Sequence, residues 1–83
     1  MKLLYFAWLR SKRGLSAEEV SPPAEVATVG QLLDWLEGQS PAHKAALADR
    51  RVVRVAVNQE YVGSDHPVGA TDAIAFFPPV TGG

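Results

Sequence analysis

The chain has 83 residues, of which 47% are hydrophobic and 20% are charged, and its formal net charge at pH 7 is −1. This length corresponds to one small domain, and the composition is typical of a folded globular chain rather than a disordered one. The sequence lacks the basic stripe that nucleic acid binding needs and any apolar run long enough to span a membrane. We therefore expect no nucleic acid and no membrane partner, and a cytoplasmic location.

The sequence contains no cysteine. Disulfides, thiolate metal sites and cysteine nucleophiles are therefore excluded, which is compatible with a reducing cytoplasm. His43 and His66 lack the spacing of a zinc motif, and the acidic residues form no recognisable acid–base pair. There is also no Gly-rich phosphate loop. We predict no metal site, no bound cofactor and no catalysis by this chain alone.

The N-terminal third of the chain is predicted to form two strands. Residues 2–9 are apolar on both alternating faces, which predicts a central strand that is covered, at least partly, on both sides. Residues 10–14 are polar and end in glycine, as a turn does. A weaker second strand is predicted over residues 15–20.

Two helices are predicted next. Thr28 and Gln31 fit a capping box at the start of a helix whose apolar residues recur with helical spacing. Gly38 is predicted to end this helix. Ser40, which is followed by proline, predicts the start of a short second helix that ends near Ala48.

Three further strands complete the predicted sheet. Residues 51–57 carry valines on alternate positions, residues 61–62 form a brief extended piece, and residues 72–77 form the last strand. This order predicts an α+β fold in which one main helix lies across the sheet. The domain is predicted to span residues 1–77.

Residues 78–83, with the sequence PPVTGG, form a predicted tail. Its two prolines favour an extended stalk, and its two terminal glycines give a slender tip. The terminal carboxyl is expected to be ionised at neutral pH. Such a tip can enter a narrow channel in another protein. On residue types alone, a frayed chain end remains the alternative.

The ending AFFPPVTGG closely resembles the C-terminus of the small, sulfur-carrying subunits of molybdopterin synthase, the MoaD family of the ubiquitin-like, ThiS-like β-grasp superfamily. Weaker similarities follow the family order at residues 4–7, 28–29, 56–59 and 66–68. Where family members commonly have Gly-Asp-Glu before the last strand, this chain has Thr71, Asp72 and Ala73.

The resemblance implies a β-grasp fold, with a mixed sheet of four to five strands wrapped around one main helix, plus a short second helix. It implies that an E1-like enzyme adenylates the Gly83 carboxylate, with ATP used in trans, and that sulfur then replaces AMP to give a thiocarboxylate. The tail that enters the large synthase subunit would consist of Pro78, Pro79, Val80, Thr81 and Gly82. There the sulfur would pass to cyclic pyranopterin monophosphate, within a complex of two large and two small subunits.

A docking patch is predicted at the root of the tail. If the alternating valines of the third strand face the main helix together with Ile74 and Phe76 of the last strand, then Ala56 and Phe77 point to the other side of the sheet. Phe6 and Tyr61 are then expected beside Phe77, with Arg10 at the edge. We predict that these four residues bind both the activating enzyme and the large subunit. The alternative is that the second helix covers this face.

Two other functions remain open at this point. One is the same carrier chemistry in another pathway, such as thiazole synthesis or tRNA thiolation. The other, from a different class, is a β-grasp module that binds partners without covalent chemistry.

Overall fold

The computed structural model describes residues 1–79. Within them, the chain forms five strands and three helices. Their bounds are β1 (Lys2–Tyr5), α1 (Trp8–Arg13), β2 (Ala17–Glu19), α2 (Val29–Glu37), α3 (Pro41–Leu47), β3 (Arg54–Val57), β4 (Glu60–Val62) and β5 (Ala73–Phe77). One 3-10 turn, at Arg50–Val52, precedes β3.

The five strands form a single mixed sheet in the order β2-β1-β5-β3-β4. The first and last strands pair in parallel, with Tyr5 opposite Phe76, whereas the other three pairings are antiparallel. The strand that precedes the tail is therefore near the centre of the sheet. This α+β architecture confirms the β-grasp fold that the resemblance implies.

The hydrophobic core lies between the sheet and α2. It is formed by alternate residues of β1 and β5 and by the apolar face of α2, all of them almost fully buried: Leu3, Tyr5, Val29, Leu32, Leu36, Ile74 and Phe76. Burying a side chain of this size stabilises a fold by about 1.5 to 3 kcal/mol. The predicted helical spacing of α2 is thus the feature that fixes which face meets the sheet.

The predicted helix starts are confirmed. Thr28 Oγ1 accepts a hydrogen bond from the Gln31 amide at 3.3 Å, and Gln31 Oε1 accepts one from the Thr28 amide at 3.1 Å. Gly38 is the C-terminal cap of α2. Ser40 caps α3 by accepting a hydrogen bond from the His43 amide at 3.2 Å.

The prediction of one strand over residues 2–9 followed by a turn over 10–14 is wrong. β1 ends at Tyr5, and Ala7 then adopts a φ of 56°, a conformation that turns a non-glycine chain out of a strand. Residues 8–13 form helix α1 instead, and this helix buries Leu9 completely. Gly14, with a φ of 92°, ends α1 in the left-handed conformation that glycine tolerates best.

The third strand is shorter than predicted, because residues 50–52 form the 3-10 turn. Asp49 caps this turn: its Oδ1 accepts a hydrogen bond from the Arg51 amide at 3.1 Å. A capped turn satisfies the backbone locally, which competes with extension of the strand. The expected burial of the alternate valines is confirmed, and Val53, Val55 and Val57 are each at most 9% exposed.

Residues 71–73 depart from the common family pattern at Thr71 and Ala73, whereas Asp72, which matches that pattern, is held by side-chain hydrogen bonds. Asp72 Oδ1 accepts from Asn58 Nδ2 at 3.0 Å, and its Oδ2 accepts from the Gly69 amide at 2.8 Å. These bonds lower the pKa of the Asp72 carboxyl. Asn58 and Gln59, at φ values of 50° and 73°, form the tight turn between β3 and β4. The bonds of Asp72 thus hold the turn before β5, although Thr71 and Ala73 differ from the residues common in the family.

Candidate functional site

One face of the sheet is left uncovered by the helices. Strand residues alternate between the two faces of a sheet, and residues that are paired across neighbouring strands share a face. The pairing of β1, β5, β3 and β4 therefore shows which side chains lie on the uncovered face. Six apolar side chains meet there and are called the aromatic patch: Leu4, Phe6, Ala56, Tyr61, Ala75 and Phe77. Together with Gln59 and Ala73 they line a shallow hollow of about 330 Å³.

Three aromatic rings give the patch its shape. Phe6 and Phe77 stack almost parallel, with ring centroids 4.5 Å apart and an interplanar angle of 6°. Tyr61 meets Phe77 edge-on, with centroids 5.7 Å apart. Phe6 is 41% exposed and Tyr61 is 55% exposed. Large exposed aromatic side chains that are held rigidly by one another are the residue types that anchor protein interfaces.

The alternative in which the second helix covers this face is wrong. α3 packs against α1 and α2, on the side of its buried residues His43, Ala46 and Leu47. The second apolar face of β1 is consequently covered only in part: Leu4 is half-buried and Phe6 remains exposed.

A cation borders the aromatic patch. Arg54, at the start of β3, lies on the same face as Ala56, and its Cζ is 5.1 Å from the centroid of the Tyr61 ring. The predictions from sequence missed Arg54. Its spacing of two from Ala56 is the signal that could have placed it on this face.

The predicted site residues fall into four groups. Phe6, Tyr61 and Phe77 come together as expected. Arg10 lies exposed on α1 and does not line the hollow, and its role in partner binding stays a prediction. Pro78 and Pro79 follow β5 directly as half-buried residues without regular secondary structure. The predicted positions of Val80, Thr81, Gly82 and Gly83 lie outside the described residues.

A cluster of polar side chains lies near the edge of the core, and the sequence did not predict it. The Glu18 carboxylate of β2 accepts hydrogen bonds from Tyr5 Oη at 2.7 Å and from Arg13 Nε and Nη2 at 3.0 and 2.8 Å. His43 Nε2 is 2.9 Å from Glu18 Oε2, and His43 Nδ1 is 2.8 Å from Ser40 Oγ. These residues are called the Glu18 cluster. It joins β1, α1, β2 and α3.

The electrostatics of the Glu18 cluster favour an ionised carboxylate. Burial raises the pKa of Glu18, but hydrogen bonds from Arg13, Tyr5 and His43 outweigh burial and lower the pKa to about 2. Burial, together with the bond to this carboxylate, raises the pKa of the Tyr5 hydroxyl well above its usual range, so Tyr5 stays a neutral donor. The cluster is fully paired within the domain and faces away from the aromatic patch. We interpret it as structural.

Residues 1–79 offer neither a metal site nor a membrane-spanning helix. No group of three or more His, Cys, Asp or Glu side chains is arranged to hold a metal ion within this span. In the same residues, no helix has the length and apolar character that crossing a membrane requires.

Comparisons with known proteins identify relatives over the full length of the chain. The model of the ThiS family matches residues 3–83. The molybdopterin synthase sulfur carrier subunit of Escherichia coli (strain K12) is 43% identical over 83 residues, which are 100% of this chain and 99% of that protein.

Solved structures agree with this match. Small archaeal modifier protein 1 of Haloferax volcanii superposes with a TM-score of 0.75 at 32% identity, over 96% of this chain and 97% of that chain. A chain of the BexX/CysO complex of Amycolatopsis orientalis superposes with a TM-score of 0.71 at 27% identity, over 99% of this chain and 98% of that chain. Since the family model matches nearly every residue, the chain belongs to the ThiS family.

Proposed function

We propose that this protein is the sulfur carrier subunit of a molybdopterin synthase, and that its C-terminal glycine, Gly83, carries the sulfur. The observation that carries the proposal is the 43% identity, over the whole chain, to the Escherichia coli subunit of that name. The position of the aromatic patch supports it, because Phe77 belongs both to the patch and to the strand that leads into the tail.

The proposed chemistry takes place at the terminal carboxyl group. A carboxylate is a poor electrophile, so an oxygen of Gly83 first attacks the α-phosphorus of ATP, and pyrophosphate leaves. Hydrosulfide released by a separate donor then attacks the acyl carbon of the adenylate, and AMP leaves with the former carboxylate oxygen. The product is a thiocarboxylate. An E1-like enzyme supplies the ATP site in trans.

The acceptor step belongs to the large synthase subunit. The tail delivers the thiocarboxylate to cyclic pyranopterin monophosphate, where its sulfur bonds to a carbon of the precursor. The dithiolene of the product, molybdopterin, contains two sulfurs and hence needs two charged carriers. Each delivery ends with hydrolysis of the acyl group and returns the Gly83 carboxylate. The partner must orient the sulfur and exclude bulk water from it, so this chain contributes the reactive group and the docking surface.

The first test is a change in mass. Incubation of the full chain with an E1-like activator, ATP and a sulfur donor is expected to add about 16 Da, the difference between sulfur and oxygen in an acyl group. Intact-protein mass spectrometry measures it, and omission of ATP is the control. A chain that never gains this mass with an active E1-like enzyme would be a non-covalent binding module instead. Conversion of the pterin precursor by the charged chain with the large subunit separates this function from thiazole synthesis or tRNA thiolation.

A second test addresses the aromatic patch. Phe6→Asp is expected to weaken binding of the large subunit by about 30-fold or more, because it places a charge in the stacked centre of an apolar contact. Phe77→Asp should act in the same direction. Calorimetric titration measures the affinity. Thermal unfolding should change little for Phe6→Asp, since the ring is already 41% exposed.

The matched control for the patch is Leu15→Asp. Leu15 is 37% exposed, is similarly apolar and lies outside the patch. It is expected to leave the affinity unchanged within about twofold. Unaltered binding by both phenylalanine variants would remove the patch as the docking surface while leaving the carrier chemistry to be judged by mass.

A further inference from the structure

We infer that Arg54 is a specificity-determining residue of the aromatic patch: it pairs with a carboxylate of the protein that receives the tail, while an apolar side chain of that protein fills the hollow. The inference rests on the proposed function. It adds to that function a residue and a required chemistry of the partner surface.

The position of Arg54 places it beside any protein that takes up the tail. Its Cα is paired with that of Phe77 across β3 and β5. Phe77 is the last residue of β5, and Pro78 begins the tail. A partner that receives the chain beyond Pro78 while contacting the aromatic patch therefore passes close to the Arg54 side chain.

The guanidinium group is held in place before a partner arrives. Its Cζ lies 5.1 Å from the centroid of the Tyr61 ring, and Tyr61 in turn rests edge-on against Phe77. A cation over an exposed aromatic ring gains about 0.5 to 1 kcal/mol. A group that is already partly ordered loses less side-chain entropy when it binds. The planar guanidinium can then donate two parallel hydrogen bonds to one carboxylate.

The charge of Arg54 is not neutralised within residues 1–79. Arg13, Arg50 and Arg51 each form an ion pair with at least one carboxylate of the chain, whereas Arg54 forms none with a described residue. A cation that the domain itself leaves uncompensated, next to an exposed apolar surface, favours a partner with the opposite charge.

The other charges on this face also favour a partner surface that carries negative charge. Among the strand residues of the uncovered face, the pairing register leaves two cations, Lys2 and Arg54, and one carboxylate, Glu19. Glu19 Oε2 is 3.6 Å from the ammonium group of Met1, so its charge is partly compensated. Two separated cations make no basic stripe, which disfavours a phosphate backbone and favours single carboxylates.

The inference is tested by removing the positive charge of one arginine at a time, at Arg54 and, as a control, at Arg51. Arg54→Gln is expected to raise the dissociation constant for the large synthase subunit about tenfold at low ionic strength. The difference should shrink at high NaCl concentration, because salt screens an exposed pair. Arg54→Lys should recover only part of the loss, since an ammonium group cannot form the two-pronged contact. Calorimetric titration of the full-length chain at the two salt concentrations measures each value.

Arg51→Gln is the matched control. It removes the same charge from a side chain that is 89% exposed and lies on the 3-10 turn, and it should change the affinity by less than about twofold. Equal affinities for Arg54→Gln and Arg51→Gln would overturn the inference and leave the proposed function standing. A wild-type chain that does not bind the large subunit would overturn both. Self-association of the free chain that Arg54→Gln abolishes would assign this face to a second copy, against the inference.

Discussion

Removal of Gly83 is expected to abolish sulfur transfer to the pterin precursor. Without it the reactive carbonyl moves back by one residue, about 3.5 Å along an extended chain. Since a displacement of about 1 Å can cost about 100-fold in rate, conversion should fall below detection. Addition of one tryptophan after Gly83 should have the same effect, because the Gly83 carboxylate becomes a peptide amide and the only terminal carboxylate then belongs to a residue with a bulky side chain. Product formation by the charged synthase measures both variants.

The control for the tail variants is Lys44→Gln, an exposed substitution on α3, which should convert the precursor at the wild-type rate. Thermal unfolding should be the same for the shortened chain, since the core lies within residues 1–76. Full conversion by a chain that lacks Gly83 would contradict the proposal that this residue carries the sulfur.

Glu18→Gln is expected to lower the free energy of unfolding near neutral pH by about 3 kcal/mol, the equivalent of its pKa shift. The glutamine amide is uncharged and leaves Arg13, which is only 15% exposed, without its counter-ion. For a domain of this size the midpoint of thermal unfolding should fall by about 10 to 20 °C. Glu19→Gln, at the next residue, changes an exposed side chain and should have little effect.

The free energies of unfolding of the wild-type protein and of Glu18→Gln should differ by an amount that depends on pH. The Glu18 carboxyl has a folded pKa of about 2, below its ordinary value of 4.5. Its contribution is therefore complete above pH 4.5 and is lost as the pH falls through this interval. The stability difference between wild type and Glu18→Gln should narrow in parallel. A difference that stays constant down to pH 2 would show that the effect is one of packing rather than of charge.

Local signals were the ones that sequence analysis used well. The capping box of Thr28 and Gln31 depends on residues three apart, and the buried valines of β3 depend on a period of two. Both can be recognised in a single sequence. The same period placed Phe77 on the uncovered face, and the aromatic patch followed from it.

The errors arose where non-local packing overrode local pattern. Residues 2–9 have the composition of a strand, but the strand ends at Tyr5. Leu9 reaches the core as a residue of helix α1 instead. In the Glu18 cluster, Glu18 and His43 are 25 positions apart, and no spacing rule connects them. Arg54 was missed because its significance depends on the ring of Tyr61, across the β3–β4 pairing.

The central location of β5 has a mechanical consequence. When a partner protein pulls on the tail, the force acts on the hydrogen bonds that join β5 to β1 on one side and to β3 on the other. These bonds must break together before β5 can slide. An edge strand would instead peel away one bond at a time. Force applied at the end of the tail is thus expected to move the domain as a rigid body instead of unfolding it.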